Sequence, residues 1–333
     1  MLYKLITGNK NLTVFIIFLI CLIIRIPSFF SDEARGFEVQ EIQMPFHSLL
    51  IHLLQGNVLL SRIIAFIFVL IQSFLLYRIN LRFVLIQKRT YLPFLLFVVL
   101  TGFIPELHSL NEVLIASLFI ILATGILMSS NEAESNSYKF FDAGLMIGLG
   151  MMFYSPMIYF LIYLWISTSV LRSFYWREYV YPVLGIIIPV IFYLAWLFLN
   201  DLSLIDFFER FGSSLFNGFP EFTIDWPGKL FIAYSALIIL LSSIYMLRVF
   251  QFRKVYIRSY FMMLFWLFVI SMMIFVLVSG FYVEMIYIIS IPVTFIMTYY
   301  FTTNRESWLN KVLLYLLILG PILVSVARIT GWL

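Results

Sequence analysis

The chain has 333 residues, of which 63% are hydrophobic and only 11% are charged. Soluble domains average about 45–50% apolar and about 25% charged residues, so a water-soluble globular protein is excluded and an integral membrane protein is expected. The formal net charge is +4, and because Cys21 is the one cysteine, disulfide bonds and thiolate metal sites within the chain are excluded as well.

Apolar stretches predict eleven membrane spans along the chain. The stretches 91–105 and 140–154 are shorter than the roughly 20 residues of a straight span, so we expect them to be tilted, or broken and buried by neighbours. The predicted fold class is an all-α integral membrane protein with an interfacial helix in its first outer loop. The predicted spans are 12–29, 58–77, 91–105, 112–129, 140–154, 156–171, 180–199, 230–247, 260–279, 284–301 and 312–328.

Lysine and arginine in the short loops predict how the chain is oriented. If the spans alternate, the basic loops 78–89, 172–177 and 248–258 fall on the same side as Lys4 and Lys10. Positively charged short loops stay in the cytoplasm, so we predict that this side and the N-terminus are cytoplasmic. The opposite side then carries the long loops 30–57 and 200–229 and all three histidines, so any chemistry is expected outside the cytoplasm.

Two adjacent carboxylates, Asp32 and Glu33, follow the first predicted span directly after Phe29 and Phe30. Adjacent carboxylates beside apolar surface repel each other and lose hydration, so one of them should bind a proton more readily than an isolated carboxylate. That property suits a general base or a ligand of a divalent cation. The alternative is a hydrated loop that ends a helix.

Residues 44–57, "MPFHSLLIHLLQGN", are predicted to form a helix in the membrane interface, too short to span the bilayer. His47 and His52 are five positions apart, which is not the i, i+4 spacing of a metal-binding pair. They are either interfacial residues without a role or contacts to a phosphate or a sugar. The apolar face of this helix consists of Phe46, Leu49, Leu50, Leu53 and Leu54.

Arg25 and Arg62 lie near the outer ends of the first and second predicted spans. A charge at the centre of a membrane helix costs roughly 2.5–3.5 kcal/mol, and less near the interface, so each arginine needs a partner or a water-filled pocket. One interpretation is a structural ion pair with Asp32, Glu33 or Glu106. The other is an anion site for a lipid phosphate.

The order of these features resembles the N-terminal module of the membrane glycosyltransferases of the C superfold, the protein mannosyltransferase and aminoarabinose transferase type. Residues 140–166 are similar to the fifth and sixth helices of that family, with Gly144 and Gly148 as a surface for close packing. The chain also resembles an uncharacterised bacterial multi-pass membrane family. The residues that match the glycosyltransferase pattern are Arg25, Pro27, Asp32, Glu33, His47, Arg62 and the Leu76-Tyr77-Arg78 sequence.

The resemblance implies a glycosyltransferase-like membrane module over residues 1–200, followed over 201–333 by an outer loop and four transmembrane helices. It implies a bacterial cytoplasmic (inner) membrane, and membrane lipids and a polyprenyl-phosphate-linked sugar as partners, without nucleic acid. The family's catalytic acid maps onto Asp32, with Glu33 as the alternative, and it would take the proton of the acceptor hydroxyl. Some members of the family use a divalent cation and others do not, and the sequence does not indicate which applies to this chain. The cations that would face the leaving lipid phosphate are Arg62, then His52, Arg35 and His108.

Other functions compete with this interpretation. The second long outer loop has only about 30 residues and few cations line the outer side, so a degenerate, non-catalytic member of the family is one alternative. A non-catalytic membrane scaffold or assembly subunit is another, since aromatic- and Met-rich spans such as 260–279 could pack against partner helices. An oligosaccharide polymerase or ligase is a further alternative. A proton-coupled transporter or flippase would need carboxylates in the middle of the spans, and the sequence lacks them.

Overall fold

The computed structural model describes residues 11–30, 44, 46, 54, 57–130, 137–171, 175–216, 226–249, 254–278, 283–303 and 308–329. Regular structure in these residues is helical, without strands. Short 3₁₀ turns cover Pro105–His108, Ser155–Tyr159 and Val283–Met285. The α-helices are α1 (Asn11–Phe30), α2 (Val58–Phe83), α3 (Leu92–Thr101), α4 (Glu112–Ser129), α5 (Tyr138–Met151), α6 (Phe160–Leu171), α7 (Trp176–Leu199), α8 (Leu204–Phe216), α9 (Trp226–Val249), α10 (Val255–Leu277), α11 (Ile286–Thr303) and α12 (Trp308–Ile329).

Seven helices in the described part of the chain are long and apolar enough to cross a membrane. They are α2, α4, α7, α9, α10, α11 with its preceding 3₁₀ turn, and α12. Shorter apolar helices occur in α1, in α3 and over Ser155–Leu171. Large apolar side chains such as Phe192 and Phe198 are exposed on α7, where lipid chains would cover them. The predicted all-α, multi-pass membrane protein is thereby confirmed.

Helix α3 shows how a short apolar helix is accommodated. Its ten residues are apolar except for Thr101, and all of them are buried. A helix of this length measures about 15 Å, half the hydrocarbon thickness of a bilayer. It packs against α2 and α11, which supply the apolar surroundings that lipid would otherwise provide. The expectation that the stretch 91–105 is buried by neighbours is confirmed.

Helices α5 and α7 approach until their backbones are in contact. A Cβ atom added at Gly148 would lie 2.7 Å from the Ile186 carbonyl oxygen, and one added at Gly185 would lie 2.6 Å from the Leu145 nitrogen. At Gly144 the obstruction is the backbone of Pro182. The predicted close-packing surface of Gly144 and Gly148 is confirmed, with Gly185 as its counterpart on α7.

Contacts between helix ends divide the described loops between two ends of the bundle. At one end, Lys88 Nζ donates to the Thr302 carbonyl at 3.3 Å and Tyr260 Oη donates to the Met128 carbonyl at 3.0 Å. Ser137 Oγ donates to Glu178 Oε1 at 3.1 Å. Residues in or next to the three basic loops make these bonds, and the Phe83 ring packs on the Tyr260 ring with centroids 5.6 Å apart. This end is called the basic end below. The other end contains residues 102–111, which join α3 to α4, and is called the connector end.

Helix α8 belongs to the connector end and lies within residues 200–229, which were predicted only as a loop. Ser214 Oγ lies 2.8 Å from Ser155 Oγ, and the Phe207 ring lies 5.3 Å from the Tyr193 ring. Ile205 and Phe208 are exposed on the other side of the helix. The spacing of Leu204, Phe207 and Phe211 is the sequence signal for this amphipathic helix.

Candidate functional site at the connector end

The segment 102–111, called the connector, is bound to three helices that are distant in sequence. His108 Nδ1 lies 3.0 Å from Ser28 Oγ of α1, and the Leu110 amide donates to Ser61 Oγ of α2 at 3.0 Å. Tyr287 Oη of α11 donates to the Leu107 carbonyl at 2.6 Å, across 180 positions of sequence. These bonds gather polar groups from the beginning, middle and end of the chain.

The connector is held in place by local features of its sequence. Ile104 is extended, Pro105 begins the 3₁₀ turn, and Asn111 caps α4 by accepting from the Leu114 amide at 2.7 Å. Glu112 follows in the first turn of α4, where the helix dipole favours a negative charge. A Cβ at Gly102 would lie 2.7 Å from Ile24 Cγ2, so glycine lets α1 pass close to the end of α3.

The hydrogen bonds of buried His108 restrict its protonation. Nε2 lies 3.2 Å from the Gly102 carbonyl oxygen, which can only accept, so Nε2 carries a hydrogen. Ser28 Oγ lies near both Nδ1 and the Arg25 carbonyl, the latter at 2.7 Å. The Ser28 hydroxyl can donate to Nδ1 of a neutral imidazole, or to the carbonyl while Nδ1 donates to the hydroxyl oxygen. The direction of the bond between Ser28 and His108 therefore depends on the state of the ring.

Arg25 lies on the inner face of α1, between Cys21 and Ser28, and is 2% exposed. Its Nη1 and Nη2 atoms are buried and have no hydrogen-bond partner among the described residues. The Tyr287 hydroxyl is near enough to be influenced by the charges of Arg25 and Glu284, without a hydrogen bond of acceptable geometry to either Nη atom. Arg25 is thus a buried cation at the connector end whose Nη1 and Nη2 atoms have no acceptor in the described part of the chain.

Arg62 lies in the second turn of α2 and is also buried. Its neighbour Ser61 binds the connector, and Asn57 caps the helix by accepting from the Leu60 amide at 3.1 Å. The two arginines predicted near the outer span ends are therefore both buried, and the helix segments that carry them are both bound to the connector.

Several predicted site residues lie outside the described residues. These are Asp32, Glu33, Arg35, His47 and His52, together with most of the predicted interfacial helix 44–57 and the side chain of Glu106. Of that helix, Phe46 packs on Phe153 with ring centroids 5.3 Å apart, and Leu54 is buried. Of the predicted site residues, Arg62 and His108 are described, and the connector relates them to Arg25.

Sequence reasoning did not identify Ser28, Asn111 and Tyr287 as part of this cluster. Asn111 carried a usable signal, because it precedes an apolar helical run in a typical capping position. Tyr287 carried none, since one tyrosine among 20 is not distinguished by spacing. Among the described residues, no group of three His, Cys, Asp or Glu side chains could hold a metal ion.

The fold and the site define an all-α, multi-pass membrane protein with a buried polar cluster at one end. Comparison of the chain with protein-family models, curated proteins and solved structures found no match.

Proposed function

We propose that this protein is a membrane glycosyltransferase that moves a sugar from a polyprenyl-phosphate donor to an acceptor on the extracytoplasmic face. The proposal includes eleven spans, a cytoplasmic N-terminus and location in a bacterial inner membrane. It is supported by one observation above all: Arg25 and Arg62 are buried at the connector end, and Asp32 and Glu33 follow α1 within three residues of its last residue, Phe30.

This combination of charges suits transfer from a lipid phosphate. Asp32, or Glu33 as the alternative, takes the proton of the acceptor hydroxyl while its oxygen bonds to the anomeric carbon of the sugar. The bond from that carbon to the phosphate oxygen breaks, and the lipid phosphate leaves with the electron pair. A buried guanidinium stabilises the negative charge that develops on this leaving group, because few water molecules compete with it.

All three basic loops lie at one end of the bundle, which supports the proposed orientation. Lys88, Arg177 and Lys254 come from these loops, and Lys88 and residues close in sequence to the other two make hydrogen bonds at the basic end. Cytoplasmic loops carry an excess of such residues. The connector end is then extracytoplasmic, where polyprenyl-phosphate-linked sugars would meet their acceptors.

The test is sugar transfer by purified protein carrying Asp32→Asn, Glu33→Gln or both changes. We expect the variant that lacks the true base to lose transfer from polyprenyl-phosphate donors by about 100-fold or more, because general base catalysis contributes about that much. Protein abundance should stay normal, since each change is nearly isosteric.

The matched control is Glu38→Gln, which removes a carboxylate from the same loop and should leave transfer unchanged. If the Asp32→Asn, Glu33→Gln double variant transfers sugar at the rate of the wild type, neither carboxylate is the catalytic base. Absence of transfer by the wild type with every sugar donor would favour the non-catalytic scaffold.

A further inference from the structure

Arg25 presents an electrostatic problem that the described contacts do not solve. A guanidinium keeps its charge in proteins, so burial cannot neutralise it by loss of a proton. A buried ion without partners is strongly unfavourable, and its N–H groups need acceptors. Nη1 and Nη2 carry four of the five N–H donors of an arginine and have no hydrogen-bond partner in the described part of the chain.

The surroundings of Arg25 compensate its charge only in part. The Tyr287 hydroxyl lies nearby but donates its hydrogen to the Leu107 carbonyl. Glu284 acts on the same hydroxyl from the 3₁₀ turn that precedes α11. One turn further along α1, the Ser28 hydroxyl is bound to the Arg25 carbonyl and lies 3.0 Å from His108 Nδ1. These groups are polar, yet none of them accepts a hydrogen bond from the two Nη atoms.

We propose that Arg25 binds the phosphate group of a lipid at the connector end. The fork of Nη1 and Nη2 matches two oxygens of one phosphate, which a carbonyl or a hydroxyl cannot match. The inference deepens the proposed function. The identification of the lipid as the polyprenyl carrier rests on that function, whereas the phosphate site itself rests on Arg25.

The turn of α1 that carries Arg25 also faces the lipid, so a lipid headgroup can approach Arg25 from there. Ile23 and Ile26, two positions before and one after Arg25, are 45% and 37% exposed on the outer surface of the bundle. Arg25 lies about 7 Å from the end of α1, at the rise of 1.5 Å per residue, which is within reach of a headgroup at the membrane boundary. Because both Nη atoms are buried, neighbouring side chains must move aside when the phosphate enters.

The test uses full-length protein in nanodiscs with farnesyl phosphate, inorganic phosphate and farnesol as probes. Arg25→Met removes the charge at similar volume, and Arg25→Lys keeps the charge but loses the fork. We expect farnesyl phosphate affinity to fall by about 10- to 100-fold in Arg25→Met and by less in Arg25→Lys, while farnesol binds weakly to all. The matched control is Arg258→Gln, another helical arginine with a buried, unpartnered nitrogen, which lies at the basic end and should leave affinity unchanged.

Thermal unfolding without the probes provides a second readout. If the charge of Arg25 is uncompensated, Arg25→Met unfolds at the same temperature as the wild type or higher; loss of a structural ion pair would lower it. Unchanged farnesyl phosphate affinity in Arg25→Met, or a markedly lower unfolding temperature in that variant, would overturn the proposal. Equal affinity for inorganic phosphate would overturn the lipid assignment.

The two proposals fail separately. If the protein binds farnesyl phosphate through Arg25 but transfers no sugar, the phosphate site is supported and the glycosyltransferase proposal is ruled out. If the wild type transfers sugar and Arg25→Met binds farnesyl phosphate with unaltered affinity, the glycosyltransferase proposal is supported and this phosphate site is ruled out.

Discussion

Ser28 and His108 link α1 to the connector through hydrogen bonds whose direction depends on the charge of the imidazole. The Ser28 hydroxyl has one hydrogen, and the acceptors near it include His108 Nδ1 and the Arg25 carbonyl. The imidazole of His108 and the backbone of Arg25 therefore share this hydroxyl as a neighbour. Ser28 thus connects one predicted site residue to the turn of helix that carries the buried guanidinium.

The change Ser28→Ala tests this link. It leaves His108 Nδ1 without its Ser28 partner in a buried site, so we expect the free energy of unfolding to fall by about 1–3 kcal/mol. Chemical denaturation of the purified protein in detergent measures the effect. The control is Ser73→Ala, because that buried hydroxyl donates only to the Val69 carbonyl of its own helix. Equal losses in both variants would mean that the bond to His108 contributes little.

At the scale of elements, the contact between α5 and α7 depends on glycine at three positions. The carbonyl of Ile186 occupies the space where a side chain at Gly148 would begin. Without a hydrophobic driving force between helices in lipid, such close packing is a principal source of attraction. The pairing of these two helices is therefore sensitive to a single methyl group.

The change Gly148→Ala should lower the stability of the protein by about 1–3 kcal/mol or more, because its Cβ would lie 2.7 Å from the Ile186 oxygen and force the helices apart. The midpoint of thermal unfolding in detergent measures this. At Gly212 in α8, by comparison, nothing lies within 4 Å of an added Cβ. Gly212→Ala should be neutral or stabilise by up to about 1 kcal/mol through helix propensity. A neutral Gly148→Ala would contradict the close contact.

The elements were predictable from the sequence to different degrees. Long apolar runs such as 58–77 and 180–199 identify α2 and α7, because composition alone determines which segments enter a membrane. The Gly144 and Gly148 spacing predicted a packing surface but not its partner Gly185, which is about 40 positions away. Helix α8 was missed because its charged residues masked an amphipathic pattern within a predicted loop.

At the scale of the whole molecule, the candidate site could be predicted only in part. Arg25 and Arg62 stood out because charge is scarce in apolar runs. The sequence could not show that the connector binds α1, α2 and α11 together, since these contacts join residues far apart in the chain. The proposed activity requires that this connector end face the outside of the cell.

The most direct test of that requirement is cysteine labelling in intact cells with a membrane-impermeant maleimide. The starting variant is Cys21→Ser, which removes the one native thiol, itself buried. Cysteine is then placed at Ser213 in α8 or at exposed Gln87 near the basic end. We predict labelling of Ser213→Cys from outside and of Gln87→Cys only after the cells are permeabilised. The reverse pattern would put the buried arginines at the cytoplasmic face and contradict an extracytoplasmic glycosyltransferase.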